Sequence, residues 1–152
     1  MTLTDFPPIT VQLIVADADA AVRFYREAFG ADELVRNPAA DGKRVLHCEL
    51  LVHGTRLLLH DEFPEQGHLA PTSLGGTSVT MHLYVADADA VFERAVEAGA
   101  TVELPVQDAF WGDRYGILRD PAGHRWSVAT PREDPAPSEL RAQADAYNAG
   151  QG

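Results

Sequence analysis

Two stretches, ITVQLIVADADAAVRFYREAFGADE at residues 9–33 and VTMHLYVADADAVFERAVEAGATVE at residues 79–103, decide how this chain folds. They share VADADA at 15–20 and 85–90, an offset of 70 residues, and the likeness extends outward from it. Each opens with an alternation of period two. In the first copy Val11, Leu13 and Val15 share one face, and Thr10, Gln12 and Ile14 the other. In the second, Val79, Met81, Leu83 and Val85 oppose Thr80, His82 and Tyr84. A run with one apolar and one mixed face is a strand whose apolar side meets the core.

Asp17 and Asp87 then stand where a helix N-cap is wanted, because a short carboxylate accepts the free amides of a first helical turn. Val22, Tyr25, Arg26 and Phe29 recur at helical spacing in one copy, and Val91, Phe92, Ala95, Val96 and Ala98 in the other. Gly30 and Gly99 supply the residue that ends each helix. Three extended segments follow: 32–37, 45–52 and 55–62 in the first half, 101–108, 113–119 and 124–130 in the second. His53-Gly54 and Asp120-Pro121-Ala122-Gly123 are tight-turn signatures.

Each half is therefore β-α-β-β-β, and the fold class is α+β. One domain over 1–130 holds modules at 8–62 and 78–130, joined by an aperiodic linker, FPEQGHLAPTSLGGT, at 63–77. PREDPAP at 131–137 begins a C-terminal extension, 131–152, with a short amphipathic helix over 138–148. Its Leu140, Ala144 and Tyr147 form either an arm onto a neighbouring surface or a frayed tail.

Hydrophobic residues are 45% of the 152 and charged residues 23%, the balance of a globular protein with a real core. No apolar run approaches the roughly 20 residues that span a bilayer, so no membrane partner is expected. MTLTDFPPIT has neither a basic nor an apolar leader segment, so no secretory signal is expected. The single Cys48 fits a reducing cytoplasm and reads as a small core hydrophobe. A net charge of −11 excludes nucleic acid, which needs a basic patch, and suits a cationic small ligand.

FYREAFGADE near the start and AFWGDRYGILRDPAGHRWSVAT near the end carry a family likeness. Together with the paired modules, they resemble the vicinal oxygen chelate superfamily, which includes glyoxalase I, extradiol dioxygenases, fosfomycin-resistance enzymes and bleomycin-resistance proteins. The second segment is similar to the PhnB-like and bleomycin-resistance-like branch, where Phe-Trp-Gly precedes strand seven and Asp-Pro-x-Gly-His-x-Trp precedes strand eight. The resemblance covers about residues 8–130. It implies that the two modules curl into a cup-shaped mixed sheet with helices on the outer face. By alternation the inner wall then receives Thr10, Gln12, Ile14, Thr80, His82 and Tyr84.

In metal-dependent relatives the resemblance places four ligands inside the cup: a His or Gln on strand one, a His on strand five, and a Glu on each of strands four and eight. The divalent ion polarises vicinal oxygens. Carried onto this chain, those positions are Thr10, Thr80, Ser127 and, on strand four, Leu58 or His60. Hydroxyls alone bind such metals poorly, so no metal and no other cofactor is expected. An alternative set lies one inward step along, where Gln12 and His82 join His60 and Glu62 and a divalent metal would be held by His60, Glu62 and His82. His47, His53 and His68 read as surface or turn residues, and His124 as structural. No G-x-S-x-G, P-loop or G-x-G-x-x-G motif is present. Glu49 and Glu62 would serve as bases only if burial raised their pKa.

Aromatic residues gather where the pocket should be: Tyr84, Phe110, Trp111 and Tyr115, with Phe63 ending strand four and Trp126 in the core. Trp111, beside Gly112-Asp113-Arg114, is placed to stack on a flat ligand. Arg114 and Asp113 either orient polar groups of that ligand or form a surface ion pair. The expected ligand-binding set is Gln12, His60, Phe63, His82, Tyr84, Phe110, Trp111, Arg114 and Tyr115. The expectation is a homodimeric protein that binds an aromatic or cationic small molecule and sequesters a natural product or antibiotic. The alternatives are a metal-dependent lyase, isomerase or dioxygenase using the shifted ligand set, and a purely structural domain.

Overall fold

The computed structural model describes residues 7–132 and 135–152. The opening hexapeptide lies outside the described residues, as do Glu133 and Asp134 of the breaker segment. The first module runs β1 (Gln12–Val15), α1 (Ala18–Phe29), β2 (Asp32–Pro38), β3 (Val45–Val52) and β4 (Thr55–Asp61). The second runs β5 (Thr80–Tyr84), α3 (Ala88–Glu97), β6 (Thr101–Asp108), β7 (Asp113–Arg119) and β8 (Arg125–Pro131). Each forms a four-stranded mixed sheet, in the orders β1-β4-β3-β2 and β5-β8-β7-β6. The first and last strands of each module pair in parallel and the rest antiparallel. The helices lie outside the sheets, as the family resemblance implies.

Local chemistry explains the boundaries. Asp17 and Asp87 each accept from the amide three residues on, Ala20 and Ala90, at 3.0 Å. Gly30 adopts the left-handed conformation, φ 67°, at the end of α1. The second helix ends differently: Ala98 is its right-handed cap, and Gly99 turns the chain one residue later. His53 and Gly54, at φ 47° and 80°, make the tight turn between β3 and β4.

Two expectations need correction. The first strand begins at Gln12, later than the alternation implies. Thr10 lies ahead of it, its hydroxyl donating to the Pro7 carbonyl at 3.3 Å. The linker is not wholly irregular either. It holds a 3₁₀ turn at Pro64–Gln66 and a short helix, α2, at Pro71–Leu74. Too short to show periodicity, α2 is organised from outside by the Glu62 carboxylate, which accepts from Ala70 N at 2.9 Å and Ser73 Oγ at 2.8 Å. After the breaker, α4 spans Pro137–Ala149 and buries no residue. No helix among the described residues is long and apolar enough to cross a membrane.

The core lies between the sheets and their helices, and the two modules share it. Leu13, Val15, Leu50 and Leu59 join Leu118, Trp126 and Val128 in one buried cluster. Tyr25 and Phe29 of α1 reach across to Trp126, with ring centroids 5.6 and 4.7 Å away. At the centre of the seam is the buried carboxylate of Asp120. Its Oδ2 accepts from Tyr25 Oη at 2.6 Å and from Trp126 Nε1 at 2.9 Å, and its Oδ1 accepts from His124 N at 2.9 Å. His124 Nε2 donates to the Ile14 carbonyl at 2.9 Å, and Arg94 Nε to the Ala28 carbonyl at 3.1 Å. His124 is therefore structural, as the sequence predicts. Cys48 is fully buried, and burial pushes its thiol up to about 11, which makes it an inert core residue.

Removing Asp120 leaves two buried side-chain donors without a partner. Asp120→Ala is expected to lose about 3 kcal/mol or more in urea denaturation. Burial, then the Asp120 charge, raises the Tyr25 phenol well above its ordinary 10.0. A raised folded pKa gives stability that is fully present below about pH 10 and is lost as the pH rises from there. Alkaline unfolding should therefore steepen above pH 10 in the native chain and flatten in Tyr25→Phe.

Candidate functional site

The face of the second sheet opposite its helices is built in rows. β5 sets His82 beside Ser127 and Tyr84 beside Ala129; β7 continues these with Ile117 and Tyr115. Residues paired directly across strands share a face, so Tyr84, Ala129 and Tyr115 form one row and His82, Ser127 and Ile117 the next. Strand spacing puts the two tyrosine backbones roughly 10 Å apart, with the smallest side chain of the row between them. Tyr84 is 57% exposed, so this face is open at β5 within one chain. His82 meets Tyr84 edge-on at 4.6 Å, and its Nδ1 is hydrogen-bonded to the Ser127 hydroxyl.

The aromatic row continues past β7. Trp111 lies 4.9 Å from Tyr115, Phe110 lies 4.9 Å from Trp111, and Tyr147 of α4 lies 5.3 Å from Phe110. Gly112, at φ 100°, lets the chain double back here so that Ala109 N can donate to the Asp113 carbonyl at 2.7 Å. Phe110, Trp111 and Tyr115 are each half-buried, with ring surface left open. Burial, then the neighbouring Tyr147, raises the Tyr115 phenol, which stays neutral through the physiological range. Phe110, Trp111, Tyr115 and, at the far end of the row, Tyr84 thus form one line of rings. Tyr147 joins them, a ring whose sequence position pointed only to a tail or an arm.

Other expected residues lie elsewhere. Arg114 alternates to the opposite face from Tyr115 and pairs with Asp89 at 2.7 Å and Asp108 at 3.1 Å, not with Asp113, which is buried. Phe63 is buried, with the Arg44 guanidinium 4.3 Å over its ring. A groove of about 470 Å³ at the β5 edge brings His82 and Tyr84 together with Val11, Leu57, Met81 and Trp126. The Phe110–Trp111–Tyr115 group lies outside its lining.

The strand register also settles the metal positions. Leu58 stands beside Gln12 as Ser127 stands beside His82, so the strand-four mate of Ser127 is Leu58. The four positions are thus Thr10, Leu58, Thr80 and Ser127. None offers an imidazole, thiolate or carboxylate, and such a set does not fit a divalent cation. The shifted set is divided among separate tasks. Buried His60 holds its Nδ1 2.6 Å from the Asp61 carbonyl and faces Phe63 and His68 at 5.8 and 5.5 Å. Glu62 caps α2, and His82 bonds Ser127. Gln12 is exposed on β1. Among the described residues, no group of three or more His, Cys, Asp or Glu side chains is arranged to hold a metal ion.

Neither carboxylate considered as a base meets the condition set for it. The Ala70 amide and Ser73 hydroxyl lower the Glu62 pKa, and the His47 hydrogen bond, followed by that of Arg56, lowers that of Glu49. Sequence reasoning also missed a repeat-related pair of clamps. Asp61 accepts from Ala18 N at 2.7 Å and Val45 N at 2.6 Å, pinning α1 and β3 to the end of β4. Thr130 does the equivalent for α3, accepting from Ala88 N at 2.8 Å and donating to the Val85 carbonyl at 2.9 Å. Their only sequence signal is position: Asp61 pairs with Val15, and Thr130 lies one residue beyond the Tyr84–Ala129 pair.

With the duplicated fold and its open face described, comparison with known proteins becomes decisive. Residues 8–128 match the Glyoxalase/Bleomycin resistance protein/Dioxygenase superfamily. The chain belongs to this superfamily. An uncharacterized protein of Mycobacterium bovis is 42% identical over 99% of this chain and 100% of its own length. The crystal structure of TioX from Micromonospora sp. ML1 is similar at 30% identity and a TM-score of 0.63, over 81% of this chain and 97% of that one. A PhnB protein of Bacillus cereus, 16% identical, shares the fold alone, with a TM-score of 0.64 over 82% of this chain and 99% of that one. Superfamily membership accounts for the paired modules.

The two tryptophans should separate in solution. Trp126 is buried and bonded to Asp120, while Trp111 is half-open. Acrylamide is expected to quench one emission component only, and Trp111→Phe to abolish that component while leaving the other.

Proposed function

We propose that this protein binds a planar aromatic small molecule on the β5-β8-β7 face and sequesters it, with no catalytic metal. The observation that carries this reading is the row Tyr84–Ala129–Tyr115 with Trp111 and Phe110 beyond it. Ala129 is fully buried between the rings, while Tyr84 at one end is exposed and Trp111 and Phe110 at the other are half-buried, so the ring surface open at the two ends is what meets the flat faces and edges of a conjugated ring system. Two further features support it. The positions where relatives place metal ligands hold Thr10, Leu58, Thr80 and Ser127. The net charge of −11 favours a cationic over an anionic ligand.

The reading includes a homodimer. β5 has a free edge on the side away from β8, and Val79 and Tyr84 beside it are exposed. A second copy would cover them and close the face into a cup. Sequestration requires no turnover, so affinity and complementarity alone determine performance.

Calorimetric titration against planar polyketide and glycopeptide antibiotics tests the reading. Saturable binding is expected, and Trp111→Ala or Tyr115→Ala should each weaken it about tenfold, the loss of one aromatic contact. Absence of binding across the panel, or turnover of a bound compound, would overturn it.

A further inference from the structure

Helix α4 is attached through one aromatic ring contact and two half-buried apolar residues, Leu140 and Ala144. It buries no residue, and its cap is internal: Glu139 accepts from the Ala136 amide at 3.1 Å. The one ring contact it makes among the described residues is Tyr147 on Phe110, centroids 5.3 Å apart and planes inclined by 35°. That inclination is near enough to parallel for Tyr147 to cover part of one Phe110 ring face, whereas Trp111 meets Phe110 edge-on at 88°. Tyr147 itself is 53% exposed. A tethered ring thus lies on a half-buried ring, at the end of an aromatic row otherwise open to solvent.

We propose that Tyr147 is a built-in occupant of the aromatic site, held on Phe110 by α4 and displaced when an aromatic ligand stacks there. This rests on the function proposed above and adds a competitor to it. The physical reason is the small size of the attachment. One aromatic pair, with Leu140 and Ala144 half-buried beside it and no fully buried residue on the helix, holds α4 by an amount that a ligand's own stacking can match. A helix anchored by a hydrophobic stripe would instead be a permanent wall. Leu140 and Ala144, the other members of the stripe read from sequence, are half-buried and neither is fully buried, so the displaced helix uncovers no core. In the free protein Tyr147 shields Phe110 from water; in the complex the ligand does so and α4 is released.

The test uses the full chain and ethidium, a planar aromatic cation. Two variants, Tyr147→Ala and Phe110→Ala, are compared with the native protein by fluorescence titration and by amide hydrogen exchange across residues 137–149. Without ligand, both variants should exchange faster than native in this segment, because each removes the attachment. With ethidium, Tyr147→Ala should bind roughly 3- to 10-fold tighter than native, the competitor being gone, and Phe110→Ala more weakly. Ethidium should also accelerate exchange of residues 137–149 in the native chain. Unchanged helix exchange in Tyr147→Ala, or ethidium binding equal to or weaker than native in that variant, would overturn the displacement proposal while leaving the aromatic site standing. No ethidium binding by any of the three proteins would overturn the displacement and count against the site itself.

Discussion

The structure depends on one buried carboxylate. Burying an ionised group costs several kcal/mol unless its lone pairs are satisfied, and Asp120 meets that condition with donors from both modules. Tyr25 comes from the first helix, Trp126 and the His124 amide from the start of β8. Because those donors belong to different halves of the chain, satisfying the charge fixes how the halves sit. β8 is held by its first residues against α1, and the row that β8 carries on its other face, Ser127 and Ala129, is set in place as a consequence. Removing the charge would not merely cost stability; it would free the wall on which the site is built.

The duplicated module supplies two copies of every position, and the repeat mates have diverged in an informative way. Gln12 and Leu58 of the first module correspond to His82 and Ser127 of the second. Asp61 and Thr130 perform the same clamping task with different chemistry. Where the task is structural the mates keep their hydrogen bonds while changing residue type. On the open face, by contrast, the first module presents the charged Glu49–Arg56 pair and the second the aromatic row. A duplicated scaffold thus gives one polar wall and one aromatic wall from the same backbone plan.

Much of this was legible in the sequence. The period-two runs, the capping aspartates, Gly30 and the His53-Gly54 turn are local signals, and local signals survive into the fold because each rests on a backbone requirement within a few residues. The inner face was legible too, since alternation assigns it once the strand is known. What sequence did not show were relations set by register and by distant contact. Whether Leu58 or His60 was the mate of Ser127 depended on strand pairing. That Arg114 faces the α3 side depended on where β7 begins. Sequence places Glu62 inside the cup by running strand four on to residue 62, whereas the strand ends at Asp61 and two donors 8 and 11 residues further on draw Glu62 toward the start of α2. Tyr147 read as part of a tail because its partner, Phe110, lies far back in the chain.

Chemistry inside the hollow follows from which atoms face it. Hydroxyl side chains and a leucine at the ligand positions cannot match the charge or donor strength of the imidazoles and carboxylates that hold a divalent ion, and His60, His82 and His124 are engaged with the Asp61 carbonyl, the Ser127 hydroxyl and the Ile14 carbonyl. On the proposed reading the aromatic wall offers affinity and no electrophile to activate. The most direct measurement is the metal content of purified protein, followed by calorimetric titration with nickel, zinc, manganese and iron(II). The expected result is a negligible metal content and no saturable binding in the micromolar range. About one tightly held ion per chain, lost in His82→Ala, would contradict the central claim.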